Sequence, residues 1–333
     1  MEMDLKHTFG ALLLAAFAGL ATAATKTPSF ASEQAVIDFA IDLEQRHGFK
    51  ADELLAQFAK TRPNAKVLQL IQPPASPLQR SWERYRSRFL NDRRIEGGVR
   101  FWQENRASLI RASAMYGVPA EIIVAIIGVE TEYGRNTGGF GVLEALATLA
   151  FHYPRRAEFF RTELEQFLLL TRENQLDPLA VKGSFAGAIG VPQFMPGSQR
   201  RYAVDFDGDQ RIDLSDSVAD AIGSVARFLE QHGWQAGQAV AFPAHTVGEP
   251  EPGLIEAGVQ PSLKVADLAE KGILSDADPQ AKVALVDLVS PGQATEYWLG
   301  LNNFYVITRY NRSTFYAMSV FQLAEEIRKR MPQ

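Results

Sequence analysis

The sequence predicts an α+β protein that is mainly α, on three observations. From residue 32 to residue 233 the apolar positions recur at helical spacing, interrupted by Gly and Pro. Past Trp234 the texture changes to short β-type runs, Ala239 to Phe242, Val283 to Val289 and Tyr305 to Thr308, so that residues 235 to 300 read as a small β-rich subdomain. Between them, the stretch that begins at Pro119 carries Ile122, Ile123, Ala125, Ile126, Ile127 and Val129, too densely apolar for a one-sided surface helix and expected to be buried nearly all round.

The elements follow in order. After a short polar start with Lys6 and His7, Phe9 to Ala24 carries no charge, and Ala21-Thr22-Ala23 has the small-x-small form of a cleavage site. Residues 1 to 23 are expected to be a secretory signal, because the run is shorter than the ~20 residues of a spanning helix. Residues 32 to 62 predict two short helices, the first N-capped by Ser32, separated at Gly48 and ended by Pro63. Gln72 to Pro77 is an extended connector. Trp82 to Arg86 is an aromatic and basic cluster that either packs on a helix face or paves a groove. One helix is expected over 95 to 116, then the apolar helix from Pro119, with Gly134, Gly138, Gly139 and Gly141 supplying its stop and a mobile loop. Val142 to Phe151 and Arg155 to Thr171 are two more helices, broken at Pro154. Asp177-Pro178 marks a turn before a Gly-, Ser- and Pro-dense loop, residues 183 to 198. A helix follows over 217 to 233, a short one over Val265 to Gly272, and a last one opening at Tyr310 and running to Arg330.

Charge and cysteine usage exclude several classes. The chain has 333 residues, a formal net charge of -5 and no cysteine. A mildly acidic chain is a poor nucleic-acid binder. An exported protein without cysteine must hold together by packing, not disulfides, and offers no lipobox thiol for acylation.

Glu130 is the first candidate functional residue. It ends an apolar helix, where desolvation raises a carboxyl pKa toward neutrality, the condition for a general acid acting on an acetal oxygen. The alternative, a helix-end carboxylate paired with Arg135, is equally compatible with the residues. Glu132, two positions on, is expected to point elsewhere as a surface charge. In the loop 183 to 198, Ser184 and Gln193 are the hydrogen-bonding side chains of a backbone that approaches something closely.

The run from Asp205 to Asp216 puts carboxylates at positions 1, 3, 5, 9 and 12 of an EF-hand-like loop. A structural calcium ion would be held by Asp205, Asp207, Asp209 and, at the position that ligates through its carbonyl, Arg211. Gln210 stands where the motif has Gly, and closure falls to Asp216 or to Asp220 in the next helix. A solvated, N-capping acidic turn is the other reading.

Together, Gly128-Val129-Glu130-Thr131 with Tyr133-Gly134, Tyr153-Pro154-Arg155-Arg156, Gly183 to Gly190 with Gln193-Phe194-Met195-Pro196, the Asp205 loop, and Arg309-Tyr310-Asn311 with Tyr316 resemble the lytic murein transglycosylase B family over nearly the whole chain after the leader. The resemblance implies a lysozyme-like core flanked by an α domain and a small β-rich domain, with a peptidoglycan strand in the groove. The implied organisation is a signal over 1–23, an N-terminal α region over 24–95, a catalytic core over 96–234 with the loop 205–216, a β-rich domain over 235–304, and a C-terminal helix over 305–333 that returns to the core. The implied reaction cuts the β-1,4 bond between N-acetylmuramic acid and N-acetylglucosamine without water, leaving a 1,6-anhydro end.

By the same resemblance Glu130 is the single catalytic acid, Ser184 and Gln193 lie near it, and Tyr310, Asn311 and Tyr316 form the opposing wall. Arg155 and Arg156 match a basic pair that meets the peptide stem or lactyl group, and Tyr85 and Phe194 match residues lining sugar subsites. Phe159 stands where the family usually has tyrosine. No catalytic cofactor is implied. The expected setting is the periplasm, as a monomer acting on glycan strands, with cell-wall synthesis or remodelling proteins as candidate partners. A hydrolysing muramidase on the same scaffold, a non-catalytic wall-binding protein and a calcium-binding structural protein are the other readings.

Overall fold

The computed structural model describes residues 28–73 and 81–331. The expected signal, and the connector beyond residue 73, lie outside the described residues. The first helices are α1 (Gln34–His47), α2 (Ala51–Phe58) and α3 (Ala65–Leu70). Gly48 caps α1 in the left-handed region at φ 65°, as its position at a helix end requires. Ser32 is not the N-cap: it ends a single 3₁₀ turn, Phe30–Ser32, and its hydroxyl donates to the Ser29 carbonyl. The turn buries Phe30, and the helix starts one residue later than expected, with Glu33 at the N-cap.

Next come α4 (Trp82–Arg86), α5 (Asp92–Glu104), α6 (Arg106–Tyr116) and α7 (Ala120–Thr131). Trp82 packs, being 1% exposed and 5.4 Å from the Phe315 ring. The helix expected over 95–116 is two helices, because the chain breaks at Asn105, whose side chain donates back to the Phe101 carbonyl. Its true start is Asp92, capped by the Asn91 side chain.

A short ribbon pairs β1 (Phe140–Gly141) with β2 (Lys182–Gly183) and encloses α8 (Val142–His152) and α9 (Ala157–Glu173). Then follow α10 (Pro196–Tyr202), absent from the sequence reading, and α11 (Val218–Gln231). The β-rich part contains β3 (Ala241–Thr246), α12 (Pro252–Glu256), β4 (Leu263–Lys264), α13 (Val265–Glu270), β5 (Ile273–Leu274), β6 (Lys282–Leu288) and β7 (Glu296–Gly300). Its strands make one antiparallel sheet in the order β4-β6-β7-β3-β5. The chain closes with α14 (Asn302–Tyr310) and α15 (Thr314–Arg330). The expected strand over Tyr305 to Thr308 is therefore helical. Its β-branched Val306, Ile307 and Thr308 join Asn303 and Phe304 on a buried helical face, and tertiary burial overrides strand propensity there.

Three hydrophobic cores divide the described residues along lines that chain order does not follow. The largest gathers α5 to α7, α11, α14 and α15 around the fully buried Ile123 to Ile127. A second joins α1 to α3 with α8 and α9, so the helices at 142–173, expected within the 96–234 core, pack against the N-terminal helices instead. The third belongs to the sheet and α13. Among the described residues no single helix is long and apolar enough to cross a membrane.

Candidate active site

Helix α7 is buried along Ile122 to Val129 and delivers Glu130 one residue before its end. The end is abrupt. Glu132, Tyr133 and Gly134 all take positive φ, at 53°, 62° and 83°. Such a run in non-Gly residues holds only where the surroundings enforce it, and here they do. The Tyr133 ring lies against Gly97, Gly98 and Gly128, where any Cβ would come within 2.8 Å of its atoms, and its hydroxyl donates to the Arg94 carbonyl at 2.7 Å. Arg94 in turn donates to the Gly128 carbonyl. The reversal also overturns the reading of Glu132 as a surface charge. Its side chain is 12% exposed and meets Arg93 at 2.6 Å, Arg135 at 3.7 Å and Arg94 at 3.8 Å. Arg135 is thus committed to Glu132, and the alternative that paired it with Glu130 fails.

Glu130 instead faces tyrosines. The Tyr316 hydroxyl donates to Glu130 Oε1 at 2.7 Å, and Tyr310 stacks on Tyr316 with ring centres 6.4 Å apart. Tyr85 is close enough to feel the same carboxylate, and burial raises its own pKa. Although partly open to solvent, Glu130 is surrounded by enough protein that burial pushes its pKa up to about 7. The Tyr316 hydrogen bond opposes that shift by favouring the charged form. Among the described residues no second acid takes part in setting it.

The Gly-rich loop reaches this helix end through Thr131, a residue the sequence reading missed. Thr131 Oγ1 donates to the Val191 carbonyl at 2.8 Å and accepts from the Gly134 amide at 3.0 Å. Gln193, at φ 52°, donates its amide to the Thr137 and Gly190 carbonyls at 3.0 and 2.9 Å. Gly138 lies so close to Gly183 that a Cβ would meet its carbonyl oxygen at 2.2 Å. Of the glycines expected to give a mobile loop, Gly138 thus serves close backbone approach and brings the two loops together. Ser184 caps its own turn, its Oγ accepting from the Ala186 and Ala188 amides.

A cleft of about 760 Å³ opens beside these groups, lined near Glu130 by Gln193, Phe194 and Tyr310. Glu130 itself is not on its wall, and the contact runs through the tyrosine pair. Phe194 is 2% exposed and packs on Phe228 and Tyr310, so it backs the wall more than it faces a ligand. Tyr310 donates to the Pro192 carbonyl at 2.5 Å. Asn311 is exposed just past α14. Arg155 and Arg156 are exposed and absent from the cleft lining; Arg156 sits 4.1 Å over the Phe159 ring, which does line it.

In the acidic loop, Asp205, Asp207 and Asp209 each offer a carboxylate oxygen within 4.8 Å of one another. Gln210 adopts φ 72°, the turn that the motif ordinarily gives to Gly. Asp220 is 1% exposed and already accepts the Phe206 and Asp213 amides at 2.7 and 2.8 Å. It braces the loop from beneath. The Asp216 amide donates to Asp213.

Residues 31–325 match the model of the transglycosylase SLT domain family. The chain belongs to that family. It is 45% identical over 312 residues to the membrane-bound lytic murein transglycosylase B of Escherichia coli K12, covering 90% of this chain and 84% of that protein. The soluble lytic transglycosylase SltB1 of Pseudomonas aeruginosa superposes with a TM-score of 0.83 at 47% identity, over 89% of this chain and 98% of that one. The Escherichia coli lytic transglycosylase Slt35 in complex with calcium gives 0.83 at 42% identity, over 92% and 96%. The family's fold is thus this chain's fold, mainly α with a small sheet.

Proposed function

We infer that the protein is a lytic murein transglycosylase, an enzyme that cleaves peptidoglycan strands, with Glu130 as its one acid and base. The observation that carries the assignment of Glu130 is a half-buried carboxyl at the end of an apolar helix beside the cleft, held by the Tyr316 hydroxyl at 2.7 Å, with burial pushing its pKa up to about 7. Near neutral pH about half of such groups are protonated and able to give the proton to the glycosidic oxygen as the C1–O bond breaks. The charged form left behind then takes the proton of the muramoyl O6 hydroxyl, whose oxygen closes on C1. The 1,6-anhydro ring forms, Glu130 is protonated again, and no water is consumed. Two-carboxylate hydrolysis would need a second acid ~5–9.5 Å away.

Tyr316 orients the carboxyl, while Gln193, Thr131 and Ser184 hold the facing loop in register. Tyr85, Tyr310 and Asn311 offer rings and an amide to sugar rings and hydroxyls, with Phe194 behind them. Asp205, Asp207 and Asp209, with the Arg211 carbonyl, would hold a structural calcium ion, whose charge offsets their mutual repulsion and which takes no part in the chemistry. The same reading places the site of action in the periplasm.

The test is mass spectrometry of muropeptides released from isolated sacculi by the wild type and by Glu130→Gln. Wild type is expected to release 1,6-anhydro-muramic ends, and the variant to keep strand binding while losing at least about a hundredfold in turnover. Reducing ends, heavier by one water, would make the enzyme a hydrolase. Undiminished cleavage by the variant would remove Glu130 from its role.

A further inference from the structure

A second concavity, of about 360 Å³, shares no lining residue with the cleft and opens where three parts of the chain meet. One wall is the loop after Trp234, with Gln235 and Gln238. Another comes from the sheet, with Gln260 just before β4 and Lys282 at the start of β6, and the third is the start of α14, with Asn302 and Tyr305. Pro261 and Leu301 add carbon to the lining. Among the described residues, the side-chain amides of Gln235, Gln238 and Gln260 and the Tyr305 hydroxyl have no hydrogen-bond partner, and Lys282 has no ion pair. The frame beneath them is fixed. Asn303, fully buried, accepts from the Gln235 backbone amide at 2.8 Å and donates to the Gln235 and Gln238 carbonyls, both at 2.9 Å. Asn302 donates to the Gly233 carbonyl at 2.8 Å, and the Leu301 amide to the Val240 carbonyl at 3.0 Å. The backbone that carries two of the glutamines is thus locked to α14, while their side chains stay open.

The groups on these walls point to one class of ligand. They are three unpaired primary amides, a tyrosine and a single cation, and no carboxylate lines the site. An anion would call for more charge than Lys282 alone supplies, and an apolar ligand would leave the amides without partners. A saccharide meets both conditions, because its hydroxyl and acetamido groups give and accept hydrogen bonds while its ring faces present carbon to an aromatic side chain. We propose that this concavity is a second glycan-binding site, outside the cleft, that holds N-acetylated amino-sugar units of a peptidoglycan strand through Gln235, Gln238, Gln260 and Tyr305. The choice of strand rests on the proposed activity, whereas the saccharide class rests on the lining. The volume is that of a small-molecule site. Helix α14 links it to the cleft. Tyr305 stands about one turn before Arg309, whose guanidinium lies 6.0 Å from the Tyr305 ring and which lines the cleft. A long strand anchored at Tyr305 stays beside the cleft between cuts, since anchoring makes the next encounter intramolecular.

The probe is a neutral tetramer of N-acetylglucosamine, titrated into the isotope-labelled full chain while the side-chain amide resonances are followed. Saturable shifts are expected at Gln235, Gln238 and Gln260, with Kd raised about fivefold or more in Tyr305→Ala. Unmoved resonances at these three glutamines while Gln193 of the cleft shifts, or an equal Kd in wild type and Tyr305→Ala, overturns the second site. The exposed pair Gln235→Ala/Gln260→Ala, whose loss the fold has little reason to notice, carries the test into turnover. On long strands stripped of peptide by an amidase, its kcat/KM should fall about threefold or more, through KM, with much less change on a soluble tetrasaccharide too short to gain from anchoring. An equal fall on both substrates would mean that the pair acts through the cleft, and overturns the anchoring role. Failure of the wild type to release anhydro ends would instead overturn the catalytic reading, and the amide shifts would still decide the second site.

Discussion

At Glu130 two opposing forces act on one proton. Burial raises the pKa to about 7, and the Tyr316 hydroxyl holds it below what burial alone would produce. Tyr316→Phe removes the second force, so the alkaline limb of the kcat/KM profile should move upward by about half a unit to one unit. The rate should also fall by about tenfold as the carboxyl loses its orientation. A downward shift would contradict this electrostatic account. The same raised pKa has a cost in stability. The protonated carboxyl contributes its full share below about pH 4 and loses it as the pH climbs through the folded value near 7. Glu130→Gln never charges, so its melting temperature should exceed that of the wild type by a few degrees above about pH 8 and match it near pH 4, the gap reaching at most about 3 kcal/mol. Scanning calorimetry across that range checks it.

Among the elements, the end of α7 carries the geometry of the site. Its left-handed run at Glu132, Tyr133 and Gly134 is held by a tyrosine ring pressed into three glycines from α5 and α7. Gly128→Ala would bring a methyl to 2.6 Å from the Tyr133 hydroxyl oxygen. The expected result is a loss of about 1–3 kcal/mol by overpacking, read as a lower midpoint in urea, with kcat falling because Glu130 moves with the helix end. This is also where sequence reasoning reached its limit. The apolar density of α7 and the acid at its end were legible, because burial on all sides leaves a compositional mark. The role of Glu132 was not, because helical periodicity ceases to apply once the backbone turns left-handed.

For the whole molecule, the acidic loop joins the catalytic core at α11, where Asp220 pins it from below. Three clustered carboxylates repel one another without a cation. Adding calcium to chelator-treated protein should raise the melting temperature, by about 2.7 kcal/mol of stability at a concentration a hundred times Kd. Asp207→Asn should weaken that gain, with little change in kcat because the loop supplies no reacting group. A melting temperature indifferent to calcium would leave the loop as a self-capped acidic turn.

The sequence by itself determined the helical character of the first two thirds of the chain, the β-rich stretch after Trp234, the buried acid and the acidic loop. Each of these is written in local spacing, in turn residues or in the chemistry of one short stretch. It also brought together the motifs that mark the family. Only the tertiary structure decided that α8 and α9 leave the core for the N-terminal helices and that Val306 to Thr308 are helical. It alone decided that Tyr316, 186 positions from Glu130, donates to it. Arg201 and Arg309 likewise come to line one cleft only through folding. These are outcomes of which faces bury against which, a competition among distant surfaces that no single window of sequence contains.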